Sequence, residues 1–96
     1  MATYVVLGKF TQQGIQTIKD APQRRAKAQE LARALGGEVK HVYMTMGQYD
    51  LVIVAEAPND EAVATLALRV GMQGNLSTQT LRAFDEEATD RLVGSL

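Results

Sequence analysis

The chain has 96 residues, enough for one domain, residues 1–96, with a modest core. It has no cysteine and one histidine, which excludes disulfides, thiolate metal sites and any site built on two histidines, so no metal is expected. A formal net charge of −1 argues against nucleic-acid binding driven by counterion release.

Residues 3–10, Thr3 to Phe10, are β-branched and aromatic and predict a strand, with Gly8 marking a bulge or a close backbone approach. Thr11 can cap a helix, and Ile15 and Ile18 predict a short one over 12–19. Asp20 is the expected N-cap of a second helix, with Pro22 tolerated in its first turn. Ala28, Leu31, Ala32 and Leu35 then form one apolar stripe, which Gly36-Gly37 ends. Residues 38–46 predict a second strand, Gly47-Gln48 a turn, and Tyr49 to Glu56 a third strand, too apolar to have a solvated face. Pro58-Asn59-Asp60 opens another long helix with the stripe Val63, Leu66, Ala67 and Val70, and glycines 71 and 74 mark its end. A fourth strand follows over 75–84, and Asp85 caps a last short helix whose first turn holds Glu86 and Glu87.

This order is β-α-β-β-α-β plus a C-terminal helix. Two right-handed crossovers joined by a hairpin give an α+β, ferredoxin-like antiparallel sheet of order 4-1-3-2, with both long helices on one face. The other face then needs a cover. On the first strand the sets Tyr4, Val6, Gly8, Phe10 and Val5, Leu7, Lys9, and on the third Tyr49, Leu51, Ile53, Ala55 and Asp50, Val52, Val54, Glu56, are largely apolar on both faces, more than monomers leave to water. A second subunit is the simplest cover, with the C-terminal helix of a monomer folded over the open face as the alternative, and two sheets face to face would form a dimeric α+β barrel. The charge distribution fits assembly too: residues 1–40 carry seven basic and three acidic side chains, residues 41–96 three basic and eight acidic. Two differently charged solvated faces is the plain reading of that asymmetry, and complementarity between subunits the sharper one.

At Gly47-Gln48-Tyr49-Asp50-Leu51-Val52 the chain resembles the GYD domain family, whose G-x-Y-D pattern accommodates Gln48. Supporting stretches are Tyr4-Val5-Val6-Leu7, Thr11-Gln12-Gln13-Gly14-Ile15, Leu35-Gly36-Gly37, Glu56-Ala57-Pro58 and Thr80-Leu81-Arg82-Ala83-Phe84. The resemblance implies a dimeric α+β barrel-like protein and carries no catalytic residue across. More distantly, Gly47-x-Tyr49-Asp50-Leu51 and Gly74-x-x-Ser77-Thr78-x-Thr80-Leu81 are similar to the effector domain of leucine-responsive transcription regulators, which binds amino acids between subunits. The helix-turn-helix that precedes such a domain is missing from this sequence, so DNA binding does not carry over.

Tyr49 and Asp50 are the first site candidates, either at the mouth of an inter-subunit pocket or structurally, with the carboxylate accepting N–H groups of the Gly47-Gln48 turn. His41 is a surface or interface residue, or an acid/base; as a lone haem ligand it has no recognisable pocket around it, and no cofactor is expected. A Ser/His triad would have to join it to Ser77 or Ser95. Tyr43 would line the second strand, and Thr78, Thr80 and Arg82 share one face of the fourth, able to bond a small ligand or a neighbouring subunit. Lys19, Arg24, Arg25 and Lys27 form a solvated helix face or an anion site near Pro22. The third strand, Leu51 to Glu56, has no aromatic or basic residue, which argues against RNA binding. No run reaches the roughly 20 apolar residues of a membrane span and no signal peptide is readable, which predicts a cytoplasmic protein. The function expected is a homo-oligomeric, non-enzymatic small-molecule-binding or regulatory module with a site between subunits. The alternatives are a small dimeric-barrel enzyme of the cofactor-free monooxygenase or isomerase type, using Tyr43, His41 and Asp50, and a structural subunit of a larger assembly.

Overall fold

A computed structural model describes all residues from 1 to 96. The elements run β1 (Ala2–Phe10), α1 (Gln12–Gln16), a 3-10 turn (Ile18–Asp20), α2 (Ala21–Ala34), β2 (Glu38–Met44), β3 (Leu51–Ala57), α3 (Asp60–Met72), β4 (Leu76–Ala83) and α4 (Glu86–Gly94). The four strands form one sheet of order β2-β3-β1-β4 with antiparallel neighbours throughout, which is the ferredoxin-like topology expected.

The helices start where polar side chains satisfy their free N–H groups. Thr11 accepts from the Gly14 amide, Asn59 from Ala62 and Asp85 from Ala88. Asp20 does not play this part: its backbone is itself helical, its side chain makes no capping bond, and α2 continues directly from the 3-10 turn. The short helix expected over 12–19 breaks after Gln16 into the 3-10 turn, and Ile15 and Ile18 on either side of the break are both exposed. Gly36 ends the α2 segment at φ +85, a backbone setting that a side chain disfavours. Gly8 makes no bulge. Its register with β3 and β4 is regular, and a Cβ there would lie 3.2 Å from the Leu76 side chain, which fills the space.

The bulge lies in β2 instead, at Lys40, where pairing with β3 shifts between Val39 and His41. It puts Val39 and Val42 on the same side of the sheet, paired with Ala55 and Ile53, and leaves His41 and Tyr43 on the other. The helix-covered side carries Tyr4, Val6, Ile53, Ala55 and Ala57, and α2 and α3 meet it with Ala32, Leu35, Val63, Leu66 and Val70. This is where the core sits: Tyr4, Val6, Ala32, Ala55, Ala57 and Val63 are its buried members. The second side has no cover, and α4 projects without a buried residue, exposing Leu92, Val93 and Leu96. The shape is correspondingly open, with a radius of gyration of 14.2 Å against about 12.5 Å for a compact chain of this length.

Candidate functional site

Register alone builds the uncovered face. One row across the sheet is His41, Val54, Val5 and Leu81, and the next is Tyr43, Val52, Leu7 and Gln79. The His41 and Tyr43 rings stack at 5.9 Å between centroids with an interplanar angle of 18°. At one end of these apolar rows Lys40 lies 3.7 Å from Glu38 and 3.5 Å from Glu56. At the other, the Tyr49 hydroxyl donates to Gln79 Oε1 at 2.8 Å and the Lys9 ammonium sits 5.6 Å from the Tyr49 ring centre. Exposed pairs of this kind add little stability. An apolar centre with a polar rim is the anatomy of a protein interface.

Tyr49 and Asp50 lie just before β3, not within it. The loop from Thr45 to Asp50 closes on itself: the Thr45 amide donates to the Asp50 carbonyl at 2.8 Å, and the Thr45 hydroxyl to the Tyr49 carbonyl at 2.6 Å. Asp50 then clamps this loop to the end of β1. Its amide donates to the Gly8 carbonyl at 2.8 Å, and its carboxylate accepts from the Phe10 amide at 2.9 Å. The carboxylate's partner is therefore β1 rather than the Gly47-Gln48 turn.

The remaining sequence candidates fall elsewhere. Thr78, Thr80 and Arg82 pair with Gly8, Val6 and Tyr4 and so share the helix-covered side, opposite His41 and Tyr43. The Arg82 guanidinium stacks 4.6 Å from the Phe84 ring centre and 5.6 Å from that of Tyr4, and donates to the carbonyls of Ala83 and Thr3. The Tyr4 hydroxyl donates to Asp60, and this bond first, then burial and the carboxylate's charge, hold the phenol above its usual range, with Arg82 pulling the other way. Arg24 donates to the Thr17 carbonyl at 2.9 Å, the Thr17 hydroxyl at 3.0 Å and the Gly14 carbonyl at 3.3 Å, so it closes the end of α1. Lys19 and Arg25 are exposed and make no ion pair. No three His, Asp or Glu side chains gather where they could hold a metal. The candidates thus divide among three places: His41, Tyr43 and Tyr49 on the uncovered face and its rim; Thr78, Thr80 and Arg82 on the other side of the sheet, with Thr80 and Arg82 exposed at its edge; and the cations on the 3-10 turn and α2. Lys9 and Gln79, which join Tyr49 at the rim, carry no sequence signal beyond their places in alternating strands.

Known proteins extend this picture. The chain is 37% identical over 85 residues to the glutamine synthetase and cystathionine beta-lyase binding protein of Thermus thermophilus, covering 88% of this chain and 90% of the relative. A feast or famine regulatory protein of M. tuberculosis, solved with L-methionine, superposes with a TM-score of 0.66 at 18% identity. That match covers 88% of this chain and 51% of the regulator, so the chain spans about half the regulator's length. A hypothetical protein of Pyrococcus horikoshii superposes at a TM-score of 0.55 and 23% identity, over 90% of this chain and 93% of that one. The two solved structures show a shared ferredoxin-like fold. The GYD domain model matches residues 4–93, nearly the whole of the sequence, and the chain belongs to the GYD domain family.

Proposed function

We propose that the chain is a non-catalytic binding module that works as a homodimer, two copies packing their uncovered sheet faces into an α+β barrel. The observation that carries this reading is the apolar face of Val5, Leu7, Val52, Val54 and Leu81 with a polar rim. Its size fits. The accessible surface is 6625 Å², against about 5,400 Å² for a self-sufficient chain of this mass. The surplus is on the order of 1,200 Å², more than the roughly 800 Å² each partner buries in a standard interface. In the barrel, His41, Tyr43 and Tyr49 would border a space between subunits that suits a small ligand. The T. thermophilus relative's name supports binding as the mode of action, with a metabolic enzyme such as glutamine synthetase as the partner, and the M. tuberculosis regulator's methionine supports an amino-acid ligand. No helix of the chain is long and apolar enough to cross a membrane, and a cytoplasmic site of action matches such partners.

Sedimentation velocity at micromolar concentration tests the reading: a dimer or larger species is expected, and a monomer overturns it. In the same samples, thermal-shift titration with free amino acids is expected to raise Tm for at least one of them, and glutamine synthetase is expected to co-sediment with the dimer.

A further inference from the structure

A second hollow lies on the opposite side of the sheet from the proposed dimer face. Between α2, α3 and the covered face is a cavity of about 160 Å³ floored by Phe10, Leu51, Ile53 and Leu76. A smaller apolar hollow of about 80 Å³ adjoins it across Ala28, Ile53, Val70 and Leu76. The cause is in the sequence of α2, which turns Ala21, Ala28 and Ala32 inward where larger side chains would close the gap. Protein interiors carry few voids larger than a water molecule. A dry apolar cavity of roughly 150 Å³ takes a benzene-sized guest.

The mouth differs in character from the floor. It is bordered by Arg24, Arg25 and Lys27, and no acidic residue lines the cavity. None of these three cations has a carboxylate within ion-pairing distance. Arg24 is partly committed to the carbonyls of Gly14 and Thr17, which leaves Arg25 and Lys27 unpartnered at the opening. The one acid bordering the inner hollow, Glu56, has its carboxylate paired with Lys40.

We infer that this cleft binds a small monocarboxylate with a hydrocarbon tail, the carboxylate held at the cationic opening by Arg25 or Lys27, which reach it from opposite flanks of α2, and the tail lying between Ala28 and Val70. Solvated ion pairs are weak, so burial of the tail supplies most of the affinity and the cations supply the selectivity. A free amino acid is disfavoured here, because its ammonium would face the same two cations with no carboxylate to receive it.

Calorimetric titration of the full chain with butanoate, hexanoate, hexan-1-ol and norleucine tests this. Hexanoate is expected to bind, with affinity rising about fourfold for each methylene added from butanoate. Hexanol is expected to bind about tenfold more weakly, and norleucine more weakly still. In Arg25→Glu/Lys27→Glu, two exposed positions that the fold does not use, hexanoate should weaken at least about tenfold while hexanol is unchanged. Ala28→Phe, checked for native circular dichroism, should abolish binding of both by filling the hollow. Absence of hexanoate binding at millimolar concentration overturns the inference. So does equal affinity for hexanoate and hexanol, or a charge-reversed double variant that binds hexanoate like the parent. Loss of the dimer bears only on the opposite face, so the two readings fail separately.

Discussion

The two faces of the sheet draw on the same kinds of residue and meet opposite fates. On β3 the set Leu51, Ile53, Ala55 and Ala57 lies under α2 and α3, while the interleaved Val52, Val54 and Glu56 face outward. Tyr4 on the covered side is 3% exposed and Tyr43 on the other is 54% exposed. Apolarity therefore does not distinguish the core face from the uncovered face in this molecule. The edges do. The covered face narrows to alanines where helices approach, whereas the open face keeps Val and Leu in the middle and sets Lys9, Glu38, Lys40 and Glu56 at its ends. In the proposed dimer such a rim would fix how the partner sits.

Neighbouring residues of one strand give the sharpest way to break that comparison. Ala55 is 4% exposed beneath the helices, and Ala55→Glu would bury a charge with no partner. The expected cost is on the order of 4 kcal/mol or more, a large part of a small domain's total stability, and urea melts should show the chain largely unfolded. Val54→Glu, one residue away, points the same charge out of the open face. It should keep native far-UV circular dichroism and lose the dimer in sedimentation. If both variants unfold alike, or if Val54→Glu still dimerises, the two faces do not differ as argued.

The elements themselves were legible because two helical stripes and four β-rich runs separate cleanly, and each apolar stripe, Ala28 to Leu35 and Val63 to Val70, packs on the sheet. What escaped was set by tertiary bonds. Tyr49 and Asp50 read as strand because they precede an unbroken apolar run, yet Asp50 spends its hydrogen bonds on Gly8 and Phe10 of β1, across the chain. The bulge at Lys40 has no glycine to announce it, and it decides which face receives Val42 and which receives His41 and Tyr43. The cleft beside α2 was invisible for a similar reason: alanines on a helix stripe read as core, and only packing reveals that they leave a gap. Asp20 looked like a cap because local chemistry favours it there, but the 3-10 turn supplies the preceding structure instead.

The Gly47 to Asp50 signature sits where the two faces meet, at the end of the central strands, and it sharpens the comparison at intermediate scale. Asp50→Ala removes the acceptor of the Phe10 amide and leaves the loop tied to β1 only by its backbone bond to Gly8, at an expected cost of about 1–3 kcal/mol. Tyr49→Phe removes only an exposed hydroxyl bond to Gln79 and should stay within about 0.5 kcal/mol. Urea midpoints of the two variants check the order. A larger effect at Tyr49 would move the signature's weight from clamping the fold to the rim of the open face.

The smallest expected effect concerns pH and again sets a covered tyrosine against an uncovered one. The Tyr4 phenol is held above its usual range by its bond to Asp60, so the folded state favours the neutral form more than the unfolded chain does. The sign follows from linkage. That stabilisation is complete below the ordinary phenol value of about 10 and is lost as pH rises through the raised folded value, where a tyrosinate would face the Asp60 carboxylate. Tyr4→Phe should therefore lower the urea midpoint at pH 8, and the gap from the parent should close as pH climbs past about 10. The hydroxyl of Tyr43 has no hydrogen-bond partner within the chain, and the residue is 54% exposed, so Tyr43→Phe should leave the urea midpoint at pH 8 unchanged in the Val54→Glu background. A gap at Tyr4 that stays flat through alkaline pH would mean that Asp60 does not distinguish phenol from phenolate. The covered face would then owe its hold on Tyr4 to packing, and to the Arg82 guanidinium lying over the ring, rather than to that bond.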